Sequence, residues 1–563
     1  MQTSQKLFLI GFSTTGKTQV GEEVARRLNC RFVDTDDEVA SLAGKPIPDI
    51  FAEDGEQSFR ELEKWALKRC CASEENIVVS TGGGAVVDPQ NRAIMFEQGV
   101  VVCLEARPDT IYKRLKKDTE DSQSANPRPL LSGDDPLRQI ETLKQMRQPF
   151  YALADWTVHT DSLTMDEVAE EVMRGLKYGQ KRFGKNEIAQ YDASEMRPSF
   201  TVNTPSLNYP VYVGWGILRT IGMLMKNAGL KNAAYIITDS NVQKLHAKKV
   251  TGSLEEAGFT VDCYAISAGE PSKDIDEAIK IYDWLVKHKA ERGHTILALG
   301  GGVVGDLAGY VAATYLRGLP LVQVPTSLLA MTDSAIGGKT GVNRPEAKNL
   351  VGAFYQPRMV ISDVQILTTL SKRHYVEGWA ETIKHAITMD PELFEILEKR
   401  TKQLLALEQE ITTEVIKRSS ALKGNIVAKD ERETLGLREI LNYGHTTGHG
   451  LEAATGYELF LHGEAVSVGM MAAARIGQMM GVTPQSLVVR QRAMLKRFGL
   501  PLSAPGVSQE SIREAMALDK KVSNKAIKWI LLSGLGKTVT RNDVPAEIVD
   551  KVIHSITREL AKE

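Results

Sequence analysis

A glycine-rich segment near the start of the chain, "LFLIGFSTTGKT", carries the residues of a phosphate-binding loop. The pattern GxxxxGKT binds nucleotide phosphates when it follows a strand and opens a helix, and the flanking "LFLI" and "QVGEEVARRL" favour that context. Gly11 and Gly16 let backbone N–H groups face phosphate oxygens, while Lys17 neutralises charge and Thr18 can hold Mg²⁺. The segment therefore predicts a site for a nucleotide with Mg²⁺.

An acidic pair follows the next apolar run, in "FVDTDDEV". Alternation along a strand puts Asp34 and Asp36 on one face, where they suit a metal-bound water and a hydroxyl group. Acidic residues after a strand are also common at solvated helix starts. The pair alone therefore leaves two interpretations open.

Three of the ten histidines, His445, His449 and His462, lie close together in "GHTTGHGLEAATGYELFLHGE". Neutral imidazoles are good zinc ligands, and a catalytic zinc ion usually has three protein ligands and one open position. No cysteine lies nearby, which disfavours a structural zinc site built from thiolates. His445 and His449 could also be two surface residues on one helical face, so spacing alone does not decide.

A second glycine-rich segment, "LGGGVVGDLAGYVAATYLRG", follows the apolar run "TILA" and would open a helix. It is not the dinucleotide pattern GxGxxG. Its glycines nevertheless fit the approach of a pyrophosphate to a helix N-terminus, with Asp306 placed for a polar contact. A purely structural helix start explains the spacing equally well.

The elements around these residues form two alternating series. From Lys6 to about Lys177, apolar runs alternate with amphipathic segments, which predicts βαβ units around a parallel sheet. A polar stretch follows, and a second α/β series runs from near Thr201 to about Ser371, after which helical spacing dominates. We therefore predict a domain over 1–178, a linker over 179–204, an α/β domain over 205–371 and a mostly helical domain over 372–563.

Length and composition limit the class of protein. At 563 residues the chain predicts roughly two to four domains. The formal net charge of −2 provides no overall field for nucleic acid or an anionic membrane, and we expect neither as a partner. We expect no membrane helix and no signal peptide. The five cysteines form no CxxC pair, which is typical of a reducing, cytoplasmic environment: Cys30, Cys70, Cys71, Cys103 and Cys263.

With "IFAEDGEQSFRELE", "STGGGAV", "NPRPLL" and "MRQPFY", residues 5–175 resemble shikimate kinase, although the lid stretch 116–126 is unusually long and polar. The resemblance implies ATP-dependent phosphorylation of shikimate, with Mg²⁺ held near Thr18 and Asp34. The catalytic residues that it implies are Lys17, Asp36 and the lid residue Arg128. The ATP contacts that it implies are Gly11, Thr14, Gly16, Lys17, Thr18, Arg114 and Arg128. The shikimate contacts are Asp36, Arg60, Gly82, Gly83, Gly84 and Arg147.

Residues from about 205 to 540 resemble 3-dehydroquinate synthase through "TDSNV", "GEPSKD", "VPTSLLAMTDSAIGGKTGVN", "KNLVGAFYQP", "NYGHTTGHGLE" and "HGE", with Gly450 where the signature has alanine. The resemblance implies Glu381, His445 and His462 as ligands of Zn²⁺ or Co²⁺, and catalytic roles for Lys339, Lys384 and His449. The NAD contacts that it implies are Asp239, Asn241, Glu270, Lys273, Gly302, Val303, Val304, Gly305, Asp306, Thr326, Ser327, Lys339, Lys348, Thr368 and Thr369. The substrate contacts are Arg317, Asp333, Lys339, Asn349, Lys384, Lys423, Arg438, Asn442 and His449.

Together the resemblances imply a bifunctional enzyme of the shikimate pathway: a P-loop kinase domain, then a Rossmann-like α/β domain and a helical domain. They imply ATP with Mg²⁺, NAD and Zn²⁺ as cofactors, small-molecule substrates, and a homodimer through the synthase half. For the first half, another small-molecule P-loop kinase, such as a gluconate kinase, remains as an alternative. For the second half, the alternative is a metal-dependent polyol dehydrogenase. A non-catalytic scaffold is disfavoured because Lys17, Asp36, Glu381, His445 and His462 are all present.

Overall fold

The computed structural model describes residues 6–72, 75–121, 135–161, 163–180, 196–230, 232–344, 347–523 and 527–558. The chain divides into two compact units, Met1–Phe200 and Thr201–Glu563. Most of the predicted linker, 179–204, lies outside the described residues, and its described part includes a strand, Phe200–Asn203.

Five parallel strands form the sheet of the first unit, in the spatial order β2-β3-β1-β4-β5. Their bounds are β1 (Lys6–Gly11), β2 (Arg31–Asp34), β3 (Ile77–Ser80), β4 (Gly99–Glu105) and β5 (Trp156–His159). Strands β1, β3 and β4 are buried along their whole length, as expected for a parallel sheet with both faces covered. The predicted α/β fold of this unit is confirmed.

Helices cover both faces of this sheet: α1 (Lys17–Leu28), α2 (Thr35–Ala43), α3 (Ile47–Asp49), α4 (Gly55–Ala72), α5 (Pro89–Gln98), α6 (Pro108–Asp121), α7 (Pro136–Tyr151) and α8 (Met165–Gln180). Successive residues of β1 point to opposite faces. Leu7 and Leu9 pack with Val24 of α1 in one apolar cluster, whereas Phe8 and Ile10 belong to the cluster on the other face. The strand is thereby fixed in position, and the loop that leaves its end is fixed with it.

The second unit contains a seven-stranded sheet in the order β6-β7-β14-β11-β10-β8-β9, in which neighbours from β7 to β9 pair in parallel. Two antiparallel hairpins, β12–β13 and β15–β16, lie outside this sheet. The bounds are β6 (Phe200–Asn203), β7 (Asn208–Gly214), β8 (Ala233–Asp239), β9 (Thr260–Ile266), β10 (Thr295–Gly300), β11 (Leu321–Pro325), β12 (Lys339–Arg344), β13 (Ala347–Phe354), β14 (Met359–Asp363), β15 (Trp529–Gly534) and β16 (Lys537–Arg541).

The helices of this unit are α9 (Ile221–Asn227), α10 (Ser240–Val242), α11 (Lys248–Glu256), α12 (Ile275–Lys287), α13 (Gly302–Thr314), α14 (Lys372–Met389), α15 (Pro391–Leu405), α16 (Gln409–Lys429), α17 (His445–Ala454), α18 (His462–Met479), α19 (Gln485–Phe498), α20 (Gln509–Ser523) and α21 (Ala546–Thr557). The α/β part followed by a mostly helical part is the predicted architecture. The hairpin β15–β16 was not predicted, although the apolar run "WILL" and the alternating "KTVTR", on either side of "GLG", would have indicated it. Within the described residues, no helix has the length and apolar composition needed to cross a membrane.

Helix α14 lies at the centre of the helical part and packs against α15, α16, α18 and α19. It is buried from Glu377 to Thr388, and this stretch includes Glu381 and Lys384. A buried charge is costly unless a partner or a ligand compensates it. The fold thus places two of the predicted site residues, as an ion pair, in the interior of the helical part.

Candidate active sites

The loop between β1 and α1 depends on backbone conformations that favour glycine. Gly11 has φ 139°, Thr14 has φ 62° and Gly16 has φ 90°. A Cβ atom on Gly11 would lie 2.2 Å from the carbonyl oxygen of Leu104, so no side chain fits there. Helix α1 begins without a side-chain cap, which leaves the N–H groups of its first turn directed at the loop. The loop therefore has the features of an anion-binding site.

The polar side chains of this loop lie beside the end of β2. Lys17 Nζ donates a 2.8 Å hydrogen bond to the carbonyl oxygen of Phe12. Thr18 Oγ1 donates to Asp34 Oδ2 at 2.8 Å, and Asp34 Oδ1 accepts from the backbone N–H of Asp36 at 3.0 Å. The structure thus brings together the hydroxyl and the carboxylate predicted to hold Mg²⁺.

Two carboxyl groups converge on Gly82. A Cβ atom at this glycine would lie 2.7 Å from Glu63 Oε1 and 2.8 Å from Asp36 Oδ1. Both oxygens are buried and have no hydrogen-bond partner among the described residues. Burial, assisted by the nearby Asp34, raises the pKa of Asp36 to about 6. Burial also raises the pKa of Glu63 to about 7, against the opposing charge of Arg60.

Guanidinium groups flank this carboxyl pair. Arg60 is held by Glu56 at 2.9 Å and by Glu63 at 3.0 Å, and a Cβ atom on Gly84 would lie 2.6 Å from its Nη1. Arg147 is buried, with its guanidinium 5.6 Å from the ring centre of Phe12. The pocket between β3 and α4 therefore combines positive groups for an acid with buried acceptors for hydroxyl groups.

Glu63 was not among the predicted site residues. It lies three residues after Arg60 in "FRELE", a spacing that puts the two on one helical face. Gly83 also contributes through its backbone, since its carbonyl oxygen accepts a 2.7 Å hydrogen bond from Tyr151 Oη. Arg114 donates to Thr160 Oγ1 at 3.0 Å and to the Thr160 carbonyl at 2.6 Å. Arg128, the predicted lid residue, lies outside the described residues.

In the second unit, Glu381, His445 and His462 form one compact group. Glu381 Oε1 lies 3.6 Å from His445 Nε2 and 3.7 Å from His462 Nε2. Two atoms that each bind a tetrahedral zinc ion at about 2.1 Å are about 3.4 Å apart. Glu381 Oε1 is fully buried without a hydrogen-bond partner among the described residues. The donor set and its spacing therefore fit a divalent transition metal.

The outer nitrogens of both histidines have partners that orient the rings. His445 Nδ1 lies 3.3 Å from the carbonyl oxygen of Tyr443, and His462 Nδ1 lies 3.2 Å from Glu452 Oε2. Such contacts direct the Nε2 lone pairs toward a common metal position. Glu452 was not predicted as a site residue, although it is the last residue of the quoted segment "NYGHTTGHGLE".

The charges around His445 and His462 favour the replacement of a proton by a metal ion. Burial and the nearby Lys384 hold the pKa of His445 well below its usual value. Burial alone would lower the pKa of His462, but Glu381 and Glu452 raise it to about 10. A divalent ion would replace the proton that His462 otherwise holds.

Cationic side chains surround the metal-ligand group. Lys384 Nζ forms an ion pair with Glu381 Oε2. Lys423 Nζ donates to Asp333 Oδ1 at 2.7 Å, and burial opposes this charge and lowers the lysine's pKa. The His449 ring lies 5.1 Å from the ring of His445, centre to centre. The structure thus brings four of the predicted substrate residues around the metal ligands.

Other predicted substrate residues lie further along the same unit. Glu433 joins two of them, because it contacts Lys339 Nζ and lies 3.2 Å from Arg438 Nε. Asn442 is exposed at the end of a short helical turn. Arg317 is exposed and follows Leu316, with φ 66° and 49° respectively. The structure connects Arg317 to none of these groups through a described contact.

A crevice suited to a nucleotide lies where the parallel strands end. Strand β8 ends at Asp239, which caps α10 by accepting from the N–H groups of Asn241 and Val242. Strand β10 ends at Gly300, and α13 follows without a side-chain cap. A Cβ atom on Gly302 would lie 3.2 Å from Ser334 Oγ. This edge is where α/β sheets bind nucleotides.

A network of ion pairs and amides lines this crevice. Lys273 Nζ donates to Asp306 Oδ2 at 2.6 Å and also bonds Asn349. Lys348 Nζ lies 3.8 Å from Glu270 Oε1. The remaining predicted NAD residues lie in the first turn of α13, after β11, or in the turn after β14: Val303, Val304, Gly305, Thr326, Ser327, Thr368 and Thr369.

Comparison with known proteins agrees with this architecture. The family model for shikimate kinase matches residues 13–177, and those for the 3-dehydroquinate synthase N-terminal and C-terminal domains match 263–377 and 378–522. The 3-dehydroquinate synthase of Nostoc punctiforme is 42% identical over 364 residues, covering 64% of this chain and all of that protein. The corresponding protein of Citrifermentans bemidjiense is 45% identical over 329 residues, covering 58% and 91%.

A solved structure, the 2-epi-5-epi-valiolone synthase of Streptomyces hygroscopicus subsp. jinggangensis with NAD⁺ and Zn²⁺ bound, is similar with a TM-score of 0.58 and 27% identity. The match covers 62% of this chain and 97% of that one. Fold and sites thus define a P-loop kinase unit followed by a nucleotide- and metal-binding unit. The chain belongs to the 3-dehydroquinate synthase family and carries a shikimate kinase domain in front of it.

Proposed function

We propose that the chain is a bifunctional enzyme of the shikimate pathway. Its first unit transfers a phosphoryl group from ATP to the 3-hydroxyl of shikimate. Its second unit converts 3-deoxy-D-arabino-heptulosonate 7-phosphate to 3-dehydroquinate and phosphate. The substrates of both units are small molecules.

In the kinase unit, backbone N–H groups of the loop 11–16 hold the nucleotide phosphates, and Lys17 neutralises the transferred group. Thr18 and Asp34 hold Mg²⁺ directly or through its waters. Asp36 accepts the proton of the attacking hydroxyl, a role favoured by a pKa of about 6, close to neutral pH.

The arginines of this unit bind shikimate and the nucleotide. Arg60 and Arg147 bind the carboxylate of shikimate, and Glu63 keeps Arg60 in place through their 3.0 Å ion pair. Gly82, Gly83 and Gly84 leave room for the ring because they carry no side chains. Arg114 contributes to adenine binding and Arg128 to the lid.

In the synthase unit, Glu381, His445 and His462 hold Zn²⁺ or Co²⁺, and the crevice from Asp239 to Thr369 holds NAD. When bound, NAD would supply reversible hydride transfer at one ring alcohol of the substrate, and the metal ion would supply polarisation of the oxygens involved. Lys384 and Lys423 place positive charge beside the acidic substrate. His449, next to His445, exchanges a proton with the substrate.

The remaining polar residues of the synthase unit bind the ends of the substrate. Asp333 orients a ring hydroxyl as its acceptor. Four further side chains hold the carboxylate and phosphate through charge and hydrogen bonds: Arg317, Lys339, Asn349 and Arg438, with Asn442 at the rim.

The observation that carries the synthase assignment is the convergence of Glu381, His445 and His462, whose candidate ligand atoms all lie within 4.8 Å of one another. Its test separates the two units by metal. After chelation and removal of the chelator, Mg²⁺ alone should restore shikimate phosphorylation, because Mg²⁺ enters with ATP. Zn²⁺ or Co²⁺ should then restore dehydroquinate formation. Recovery of the synthase activity with Mg²⁺ alone would contradict the proposed metal site.

The chain further forms a homodimer through the synthase half. Support comes from hairpin β12–β13, where Leu350 and Phe354, on one face of β13, are 57% and 46% exposed. Exposed apolar side chains grouped in this way are typical of interaction surfaces. Analytical ultracentrifugation of the wild type and of Phe354→Asp tests it, and we expect a dimer and a monomer respectively.

A further inference from the structure

Glu452 is in contact with two sites at once. It lies on α17 and is 4% exposed. One carboxylate oxygen, Oε2, lies 3.2 Å from Nδ1 of the metal ligand His462. The other, Oε1, lies 3.4 Å from Nζ of Lys348 on hairpin β12–β13. The helical part and the α/β part of the synthase unit thus meet at this carboxylate.

Lys348 is held by two further groups, of which Glu270 is a predicted NAD contact. Its Nζ lies 3.8 Å from Glu270 Oε1 and 4.0 Å from the ring centre of Tyr457. Glu270 Oε1 also accepts a 2.7 Å hydrogen bond from Asn343 in the same hairpin. The chain of contacts therefore runs without a gap from a metal ligand to the residues that line the crevice.

We propose that Glu452 is a positioning residue that couples metal binding to NAD binding: it orients His462 and competes with the nucleotide for Lys348. This inference rests on the proposed function of the synthase unit. It goes further by assigning the contact through which one site responds to the other.

The direction of the coupling follows from the charges. A carboxylate that accepts from the outer nitrogen of a metal-bound imidazole strengthens the imidazole as a ligand. Lys348 partly neutralises Glu452 and weakens this effect. When the nucleotide phosphates draw Lys348 away, the full negative charge acts on His462. NAD should therefore tighten metal binding, and the metal must tighten NAD binding by the same factor.

The test measures two affinities on the full chain without turnover. Co²⁺ binding is followed by its visible absorption, with and without saturating NAD. NAD binding is followed by calorimetry, with and without Co²⁺. In the wild type we expect NAD to lower the Kd for Co²⁺ about 5- to 50-fold, within the usual range for coupled sites. Glu452→Gln should reduce this factor to below about 2-fold and weaken Co²⁺ binding about 10- to 100-fold.

Lys348→Met removes the other end of the contact and keeps the length of the side chain. We expect tighter Co²⁺ binding than wild type without NAD, together with loss of the coupling. Glu464→Gln is the matched control, because Glu464 lies on the same helix as His462 but bonds Arg373 and the N–H of Leu461 instead. It should keep the wild-type coupling factor.

Each outcome has one meaning. A wild-type chain that binds neither Co²⁺ nor NAD would overturn the proposed function itself. Normal binding of both, with a coupling factor that Glu452→Gln and Lys348→Met leave unchanged, would overturn only the role of Glu452. Circular dichroism and thermal unfolding of each variant establish that the synthase unit is folded, and the kinase activity serves as a check on the first unit.

Discussion

The phosphate site of the kinase unit and the proposed metal site of the synthase unit hold charged ligands by opposite means. In the kinase, the phosphate site is made of backbone: the loop 11–16 has three positive φ angles, and a Cβ atom at Gly11 would collide with Leu104. In the synthase, the proposed metal site is made of side chains on regular helices, with Glu381 on α14, His445 on α17 and His462 on α18. A site of backbone N–H groups is encoded in one short segment, whereas a site of side chains depends on the packing of distant helices.

This contrast has consequences for mutation. A site built from backbone N–H groups keeps most of its affinity for the ligand when a nearby side chain changes, unless that side chain carries a charge that acts on the ligand. A side-chain metal site loses a ligand outright with one substitution. The following variants test the contrast within one molecule, from the largest expected effect to the smallest.

The largest effect should come from His462→Ala. Loss of one of three metal ligands removes transition-state stabilisation of several kcal/mol, so the synthase rate should fall by roughly 10³-fold or more. The kinase rate should stay within about twofold, because its site shares no residue with this one. Both rates and the bound zinc are measured on the same preparation.

The control is His554→Ala, on α21, where the histidine bonds Gln509. It should retain zinc and both activities. A His462→Ala chain that binds zinc and turns over normally would remove this residue from the metal site.

The next largest effect should come from Lys17→Ala, which keeps the loop glycines but removes the charge of Lys17 and its hydrogen bond to Phe12. We expect shikimate phosphorylation to fall about 10²- to 10³-fold, as for loss of one electrostatic stabiliser of a transition state. Dehydroquinate formation should remain close to wild type. If a folded variant lost both activities, the two units would not be independent.

A smaller effect is expected for Arg60→Ala in the shikimate pocket. A charge-assisted hydrogen bond contributes about 1.5–3 kcal/mol, so the KM for shikimate should rise about 10- to 150-fold. The KM for ATP should change little. Arg69→Ala, on the same helix but with an exposed guanidinium beside Trp65, should leave both KM values unchanged. Equal increases for both substrates in Arg60→Ala would show that this residue serves the nucleotide or the fold.

The smallest effect concerns pH. Asp36 must be ionised to accept a proton, and its pKa is raised to about 6 by burial and by the negative charges of Asp34 and Asp37. The kcat/KM for shikimate should therefore fall as the pH drops through about 6. Asp37→Asn removes one like charge and lowers the pKa of Asp36. The acid limb of the pH profile of kcat/KM should therefore move toward lower pH by about a few tenths of a unit.

Asp49→Asn serves as the control, because Asp37, and not Asp49, is among the main charges that act on the pKa of Asp36. Its profile should match that of the wild type. A limb that moves toward higher pH in Asp37→Asn would identify another group as the proton acceptor.

The same contrast explains which features the sequence could predict. The phosphate loop was predicted from eight consecutive positions and their flanks, because everything it needs is local. The α/β order and the helical end followed from periodicity. The spatial strand order β2-β3-β1-β4-β5 could not be derived, since it depends on where each helix packs.

The proposed metal site could be predicted only in part from the sequence. His445 and His462 were singled out by their density, but Glu381 came from the family resemblance, because no local spacing links α14 to α17 and α18. Glu63 and Glu452 were missed as site residues. Both act by holding another side chain, and such contacts depend on the distance between helices in the folded chain.

The buried carboxylate of Glu381 links the folding of the synthase to metal supply. Its Oε2 is paired with Lys384, but its Oε1 has no hydrogen-bond partner among the described residues, so a bound ion would supply the contact that this buried oxygen lacks. A ligand that binds only the folded state stabilises it by about 2.7 kcal/mol when present at a hundredfold excess over its Kd. A cell short of zinc would then hold chains in which the synthase unfolds and is degraded more readily, and proteolysis there would remove the kinase too. Fusion makes the lifetime of a magnesium enzyme depend on zinc.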